Sequence, residues 1–201
     1  MKYQNKKNKG FTLIEMMVSI AVFSVVMVTA MGALLSVIDS NNKARSIKTA
    51  VNNISFALEG ISKDVRMGTD YSCSDNSGAS LDCSSGGADF SFKSSKTIGG
   101  VKNPYIYYKI SGNQIWSCVG GATSGACPAA SYSPLTSSEV TISATSSKFY
   151  VLGVADSKDA AGIRTQPRVI IVINGVAGHK ERTKTTFDLQ TSISQASRIK
   201  I

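Results

Sequence analysis

Few side chains in this sequence have the types and spacing for chemistry. The one histidine, His179, sits beside Lys180, Glu181 and Arg182. A single histidine is a poor basis for a catalytic metal site, and no GxSxG elbow accompanies the serines. A surface position without a catalytic role is therefore expected of His179. No Walker loop and no GxGxxG fingerprint occurs, so no nucleotide is expected, and no other cofactor or metal either. Four cysteines, Cys73, Cys83, Cys118 and Cys127, all lie after residue 72. In an oxidising compartment an even number predicts two disulfides, with three possible connectivities. Pairing of neighbours, Cys73 with Cys83 and Cys118 with Cys127, is the expectation because each pair brackets a Gly/Ser-rich stretch; zinc would call for CxxC-like spacing. Asn53-Ile54-Ser55 matches a glycosylation sequon but falls in a predicted helix. Trp116 with Tyr105, Tyr107 and Tyr108 suits either an aromatic binding face or ordinary cross-strand packing. The remaining oddity is Glu15, an acid near the start of an otherwise apolar stretch, residues 10–38.

These residues have to be positioned by something. Residues 16–38 are 23 positions without a charge, and as a helix they span about 35 Å, enough for a hydrocarbon core of about 30 Å. The first ten residues carry Lys2, Lys6, Lys7 and Lys9 and no acid, which predicts a cytoplasmic amino terminus and an exported remainder. Those lysines also account for much of the formal charge of +9, leaving +5 for residues 11–201. Residues 67–201 hold 13 Lys or Arg against 9 Asp or Glu, with no run of five like charges. That distribution reads as a solvated surface and supports nucleic acid as a partner only weakly.

The helical signal continues past the apolar run. Ile47, Val51, Ile54, Leu58, Ile61 and Val65 follow one another at spacings of 3 and 4, the stripe of an amphipathic helix. No proline interrupts residues 11–66, which predicts one rod, with Gly32 and Gly60 as its weak points. Residues 68–100 read as a long irregular loop apart from 89–92. Strands are expected over 104–110 and 113–118 around Ser-Gly, over 140–145 and 148–154 around Ser-Ser, and over 168–174 and 185–193. Hairpins with short connections predict an antiparallel sheet covered by the striped half of the helix, an α+β arrangement.

The amino terminus carries a resemblance. KNKGFTLIEMMVSIAVFSVV, residues 7–26, is similar to the start of type IV pilin-like proteins, the family of major pilins, minor pilins and pseudopilins. No small-residue site for ordinary signal cleavage precedes the soluble part; basic leader, Gly10, Phe11, Glu15 and apolar run instead stand in the family's register. The resemblance implies that a prepilin peptidase cuts between Gly10 and Phe11 and methylates the amino group of Phe11. It also implies that Glu15 meets the amino-terminal ammonium of a neighbouring subunit during assembly. The fold implied is a long helix, half in the membrane and half packed on an antiparallel β head. The organisation follows: leader 1–10, membrane or filament-core helix 11–38, amphipathic helix 39–67 and β head 68–201. The implied partners are other pilin or pseudopilin subunits, the peptidase, an inner-membrane assembly platform and membrane lipid. The implied location is the cytoplasmic membrane, crossed once, and then an extracellular or periplasmic filament.

Two departures refine this. Major pilins often have a proline in the membrane half, where this chain has only Gly32, and a disulfide near the carboxyl end, whereas the cysteines here stop at Cys127. NNISFALEGISKDVR, residues 52–66, and FDLQTSISQ, residues 187–195, resemble the larger minor subunits, J-type pseudopilins and their pilus counterparts. A minor pilin or pseudopilin without catalytic activity is therefore expected. The alternative is a minor pilin whose head binds DNA or surfaces.

Overall fold

The computed structural model describes residues 10–73, 82–123, 125, 127–154, 166–178 and 184–196. A single helix, α1 (Leu13–Arg66), precedes all the strands. The chain divides into two compact units, Met1–Asn42 and Lys43–Ile201, so α1 contributes its first part to one and its last to the other. The class is α+β, one long apolar helix with antiparallel sheets, an arrangement consistent with a type IV pilin-like fold.

In the second unit the helix buries Ala50, Ile54, Ala57, Ile61 and Val65. The buried centre line is thus not quite the predicted stripe, since Val51 and Leu58 fall on its half-buried flank. Two alanines occupy the line instead, and a side chain of one carbon lets the helix axis come close to the strands it covers.

The strands are β1 (Thr69–Ser72), β2 (Cys83–Gly87), β3 (Asp89–Lys93), β4 (Thr97–Ile98), β5 (Val101–Lys102), β6 (Tyr105–Ser111), β7 (Gln114–Val119), β8 (Ser133–Pro134), β9 (Val140–Ile142), β10 (Lys148–Leu152), β11 (Arg168–Ala177) and β12 (Thr185–Ser194). They form two five-stranded antiparallel sheets and a small ribbon rather than one sheet. The first has the order β1-β3-β6-β7-β8; the second runs β12-β11-β10-β2 with β9 also on β11, and β4 pairs β5. Both sheets send side chains into one core, where Phe90 of the first lies 5.5 Å from Phe149 of the second, ring centre to ring centre. Tyr71, Phe92 and Tyr108 complete the aromatic cluster.

Three expectations need correction. The described part of 68–100 is not irregular outside 89–92, because β1, β2 and β4 lie there beside the expected β3. Alternation does not reveal β2, which reads Cys-Ser-Ser-Gly-Gly and gains its order from pairing with β10. The β6–β7 turn is Gly112-Asn113, one residue later than the Ser-Gly expected. Both residues have positive φ, 56° and 66°, as a two-residue turn matching the strand twist requires. Lastly, β9 and β10 are not a hairpin. Both lie along the same edge of β11, β10 on Arg168 to Val172 and β9 on Gly175 to Ala177. Ser147 fills the break, its backbone-facing hydroxyl donating to the Asn174 carbonyl at 3.1 Å and accepting from the Asn174 N–H at 2.9 Å. At Gly175 a Cβ would come within 2.6 Å of both Phe187 Cζ and the Thr141 carbonyl oxygen, so only glycine admits strands this close on both sides.

The last carbonyls of a helix need partners, and here they come from distant parts of the chain. The Tyr71 hydroxyl shares its single proton between the Val65 and Gly68 carbonyls, each at 2.7 Å. Beyond β12, the Ala196 N–H donates to the Arg66 carbonyl at 2.8 Å and Gln195 Nε2 to that of Gly68 at 2.8 Å. Tyr71 is 1% exposed, and both carbonyls keep a second donor without it, the Gly68 N–H on Val65 at 2.9 Å and Gln195 Nε2 on Gly68. The Tyr71→Phe variant is therefore expected to lose about 0.5–1.5 kcal/mol of stability, the worth of a hydrogen bond whose acceptors stay served, read as a lower urea midpoint at unchanged slope.

The structure joins Cys73 to Cys83 and Cys118 to Cys127, with Cα separations of 6.0 and 6.4 Å. The first bond ties the end of β1 in one sheet to the start of β2 in the other. The second closes a loop back onto β7.

The amino-terminal segment as candidate functional site

Helix α1 begins where its first donors find a partner. Thr12 stands just before it, and its Oγ1 accepts the Glu15 N–H at 3.3 Å. Thr12-x-x-Glu15 is a capping-box sequence, a signal present in the chain that the sequence reading had passed over. It stops the helix from extending back over Phe11, so the Gly10–Phe11 bond lies outside regular structure. Nothing lies within 4 Å of a Cβ built on Gly10, and Phe11 is 76% exposed. An endopeptidase needs such a bond, outside regular structure and uncovered.

Beyond the cap, residues 16–38 of α1 carry no charge on any face. The helix is long and apolar enough to cross a membrane, with a mean hydropathy of 2.4 in its most apolar window and none of that window buried. Hydroxyls within it are turned back on the backbone. Ser19 donates to the Glu15 carbonyl at 2.7 Å, Ser24 to Ile20 at 2.8 Å and Thr29 to Val26 at 2.9 Å. In hydrocarbon, where water cannot serve them, such i−4 and i−3 bonds satisfy the groups locally. Glu15 differs, being a first-turn carboxylate with no cation near it in the sequence after Lys9. The helix continues unbroken through Gly32 and Gly60.

A search of family models bears on this segment. Residues 5–31 match the prokaryotic N-terminal methylation motif. This is the type IV pilin-type prepilin signal, carried by subunits that are processed and then assembled. No curated protein and no solved structure matches the chain. The motif and the apolar helix together fit membrane anchoring, and the prepilin signal implies processing by a prepilin peptidase and assembly with other pilins. The match spans Gly10, Phe11, Thr12 and Glu15 together, the residues that build the open bond and the helix cap.

The other residues singled out in the sequence have different fates. Tyr105, Tyr107, Tyr108 and Trp116 are not one aromatic face. Tyr108 points into the main core, where burial, helped by the Asp64 charge, pushes its phenol well above the ordinary value. Tyr105 and Tyr107 lie on the other side of the sheet in a separate cluster with Cys118 and Cys127. Burial first, and then Asp70, raises Tyr105. Alternation along β6 explains the split. The sequon asparagine, Asn53, is half-buried in α1 and its Oδ1 accepts the Ser137 N–H at 3.0 Å, a structural use that ties a loop to the helix. His179 lies outside the described residues. Among the described residues no three His, Cys, Asp or Glu side chains gather where a metal ion could sit.

Proposed function

We propose that this chain is a minor subunit, a minor pilin or pseudopilin, of a type IV pilus or type II secretion-like filament. It is inserted with its amino terminus in the cytoplasm and its β unit exported, is cut between Gly10 and Phe11, and is methylated on the new amino group of Phe11. The observation that carries this reading is the prepilin signal at residues 5–31, lying in register with a helix cap that leaves Gly10–Phe11 open. Leader removal makes Glu15 the fifth residue of the mature chain, one helical turn from the new ammonium. In the filament Glu15 faces the ammonium of a neighbouring subunit. A carboxylate held in a bilayer costs about 2.5–3.5 kcal/mol near the centre, and that ion pair offsets the cost on leaving lipid.

The organisation proposed is leader 1–10, core helix 11–38, amphipathic helix 39–67 and head 68–201. Function is then packing: helix on helix inside the filament and head on head outside, without catalysis. Energy comes from a separate cytoplasmic ATPase acting through the inner-membrane platform. Absence of a membrane-half proline and of a carboxyl-terminal cysteine pair favours a minor over a major subunit.

The test is the amino-terminal mass of the protein taken from native membranes, wild type against Gly10→Ala. Wild type is expected to begin at methylated Phe11, and the variant to retain its leader almost completely. A wild type that kept Met1, or that was cut beyond residue 38, would remove the basis for the reading.

A further inference from the structure

The side of the first sheet that faces away from the core carries a cleft of about 410 Å³. Strand pairing sets Lys109 opposite Trp116 and Tyr107 opposite Cys118, while β3 places Asp89 opposite Lys109. Since Phe90, Tyr108 and Ile115 belong to the core, alternation puts Asp89, Lys109 and Trp116 in a row across the outer side. Part of that side is roofed. The segment after β7, closed by the Cys118–Cys127 bond, covers Tyr105 and Tyr107 with Tyr132 packed beside them. Where the roof ends the row lies open, with Lys109 and Trp116 at the sheet, Cys127, Ala129 and Tyr132 on the loop side, and Ser111 and Gly112 at the turn.

Each group there has a definite state. Trp116 is half-buried, and its indole N–H donates to the Ser111 carbonyl at 2.8 Å. With the N–H engaged, the ring is held in place and its remaining contribution is a flat apolar surface. Lys109 Nζ stands 3.7 Å from Asp89 Oδ1, so the ammonium is charge-compensated yet keeps donors to spare. The disulfide fixes the wall opposite. A pinned aromatic surface beside a neutralised ammonium and a hydroxyl selects a ligand with one apolar face, an edge rich in hydroxyls and no net charge. The volume lies within the usual range for small-molecule sites of about 300–1,000 Å³.

We propose that this cleft binds a neutral pyranose sugar, stacked on Trp116 with its hydroxyls directed to Lys109 and Ser111. An acidic sugar fits less well, because the Asp89 carboxylate already serves Lys109, the one cation among the described residues lining the cleft. The proposal does not depend on the filament reading, since no residue of the amino-terminal segment takes part.

Trp116 is the single tryptophan of the chain, so its emission reports on the cleft directly. The experiment uses the full chain in a detergent without a sugar headgroup, titrated with the methyl glycosides of glucose, galactose, mannose and N-acetylglucosamine. Methyl glucuronide is the charged comparison, and Ala129→Arg is the variant that fills the cleft from its exposed wall. The expected result is a saturable change of Trp116 emission with at least one neutral glycoside, weakened at least tenfold in Ala129→Arg, whose urea midpoint matches wild type. No saturable change with any neutral glycoside up to about 50 mM, a limit corresponding to under 2 kcal/mol of binding, would overturn the proposal. So would a response to the glucuronide alone, or one that Ala129→Arg leaves intact.

Discussion

Glu15→Val subunits are expected to be processed at Gly10–Phe11 and held in the membrane normally, yet to be depleted about tenfold or more from sheared filaments. The two outcomes separate because the two steps use different groups. On the proposed reading, cleavage uses the open bond before Thr12, whereas incorporation draws on a carboxylate–ammonium pair between subunits. Removing the carboxylate makes insertion easier by about 2.5–3.5 kcal/mol at the bilayer centre, and less near its edge. It also leaves the neighbour's ammonium without a counter-charge in a medium of low dielectric. A loss of only about 1.4 kcal/mol in the assembly equilibrium suffices for the tenfold depletion. The measurement is the ratio of subunit in the sheared fraction to subunit in membranes, with Glu15→Asp as the comparison. Since a shorter acid keeps the charge, that variant should recover much of the wild-type ratio. Normal incorporation of Glu15→Val would show instead that Glu15 is a helix-end acid reaching for the interface.

The largest effect on stability is expected in the aromatic cluster between the sheets. Phe90 is fully buried and stacks on Tyr71, Phe92, Tyr108 and Phe149 at centroid distances of 6.5, 5.7, 6.3 and 5.5 Å. Phe90→Ala therefore leaves a hole shared by five elements: α1 through Tyr71's bond to its last turn, then β1, β3, β6 and β10. A cost of about 3–5 kcal/mol is expected, a large share of a total stability of about 5–15 kcal/mol. Urea unfolding of the full chain in detergent, followed through Trp116 emission, would show the midpoint falling at nearly constant slope. Val119→Ala, at a position 48% exposed on β7 of the same sheet, should move the midpoint by no more than about 0.5 kcal/mol. A shift for Phe90→Ala no larger than that of Val119→Ala would mean that the cluster is loosely packed.

How legible each part was follows from the range of the interactions that make it. The amino-terminal segment is decided by neighbours in sequence: an uncharged run, a Thr-x-x-Glu cap, a glycine before a phenylalanine. Helix α1 therefore matches its sequence expectation closely, 54 residues from Leu13 to Arg66, because i to i+4 bonds and an apolar surface need no distant partner. The β11–β12 hairpin was legible for the same reason, ten paired positions from Arg168↔Ser194 to Ala177↔Thr185 with unbroken alternation.

What the sequence could not supply depends on residues far apart. Ser-rich β2 is a strand because β10 lies beside it, and β9 departs from β10 because β11 is long enough to hold both on one edge. That Asn53 serves as a loop anchor follows from its nearness to Ser137. The capping of α1 by Tyr71, Gln195 and Ala196 is invisible until the end of the chain returns to Arg66. Trp116 stands out in the sequence, but with Tyr105, Tyr107 and Tyr108; that Lys109 and Tyr132 are its companions at a cleft follows only from strand pairing and from a disulfide-closed loop that stops short of covering them. Local rules determined the apolar helix and the prepilin signal at its start; pairing register and the closing of loops over sheet faces, which alternation cannot encode, decided the rest.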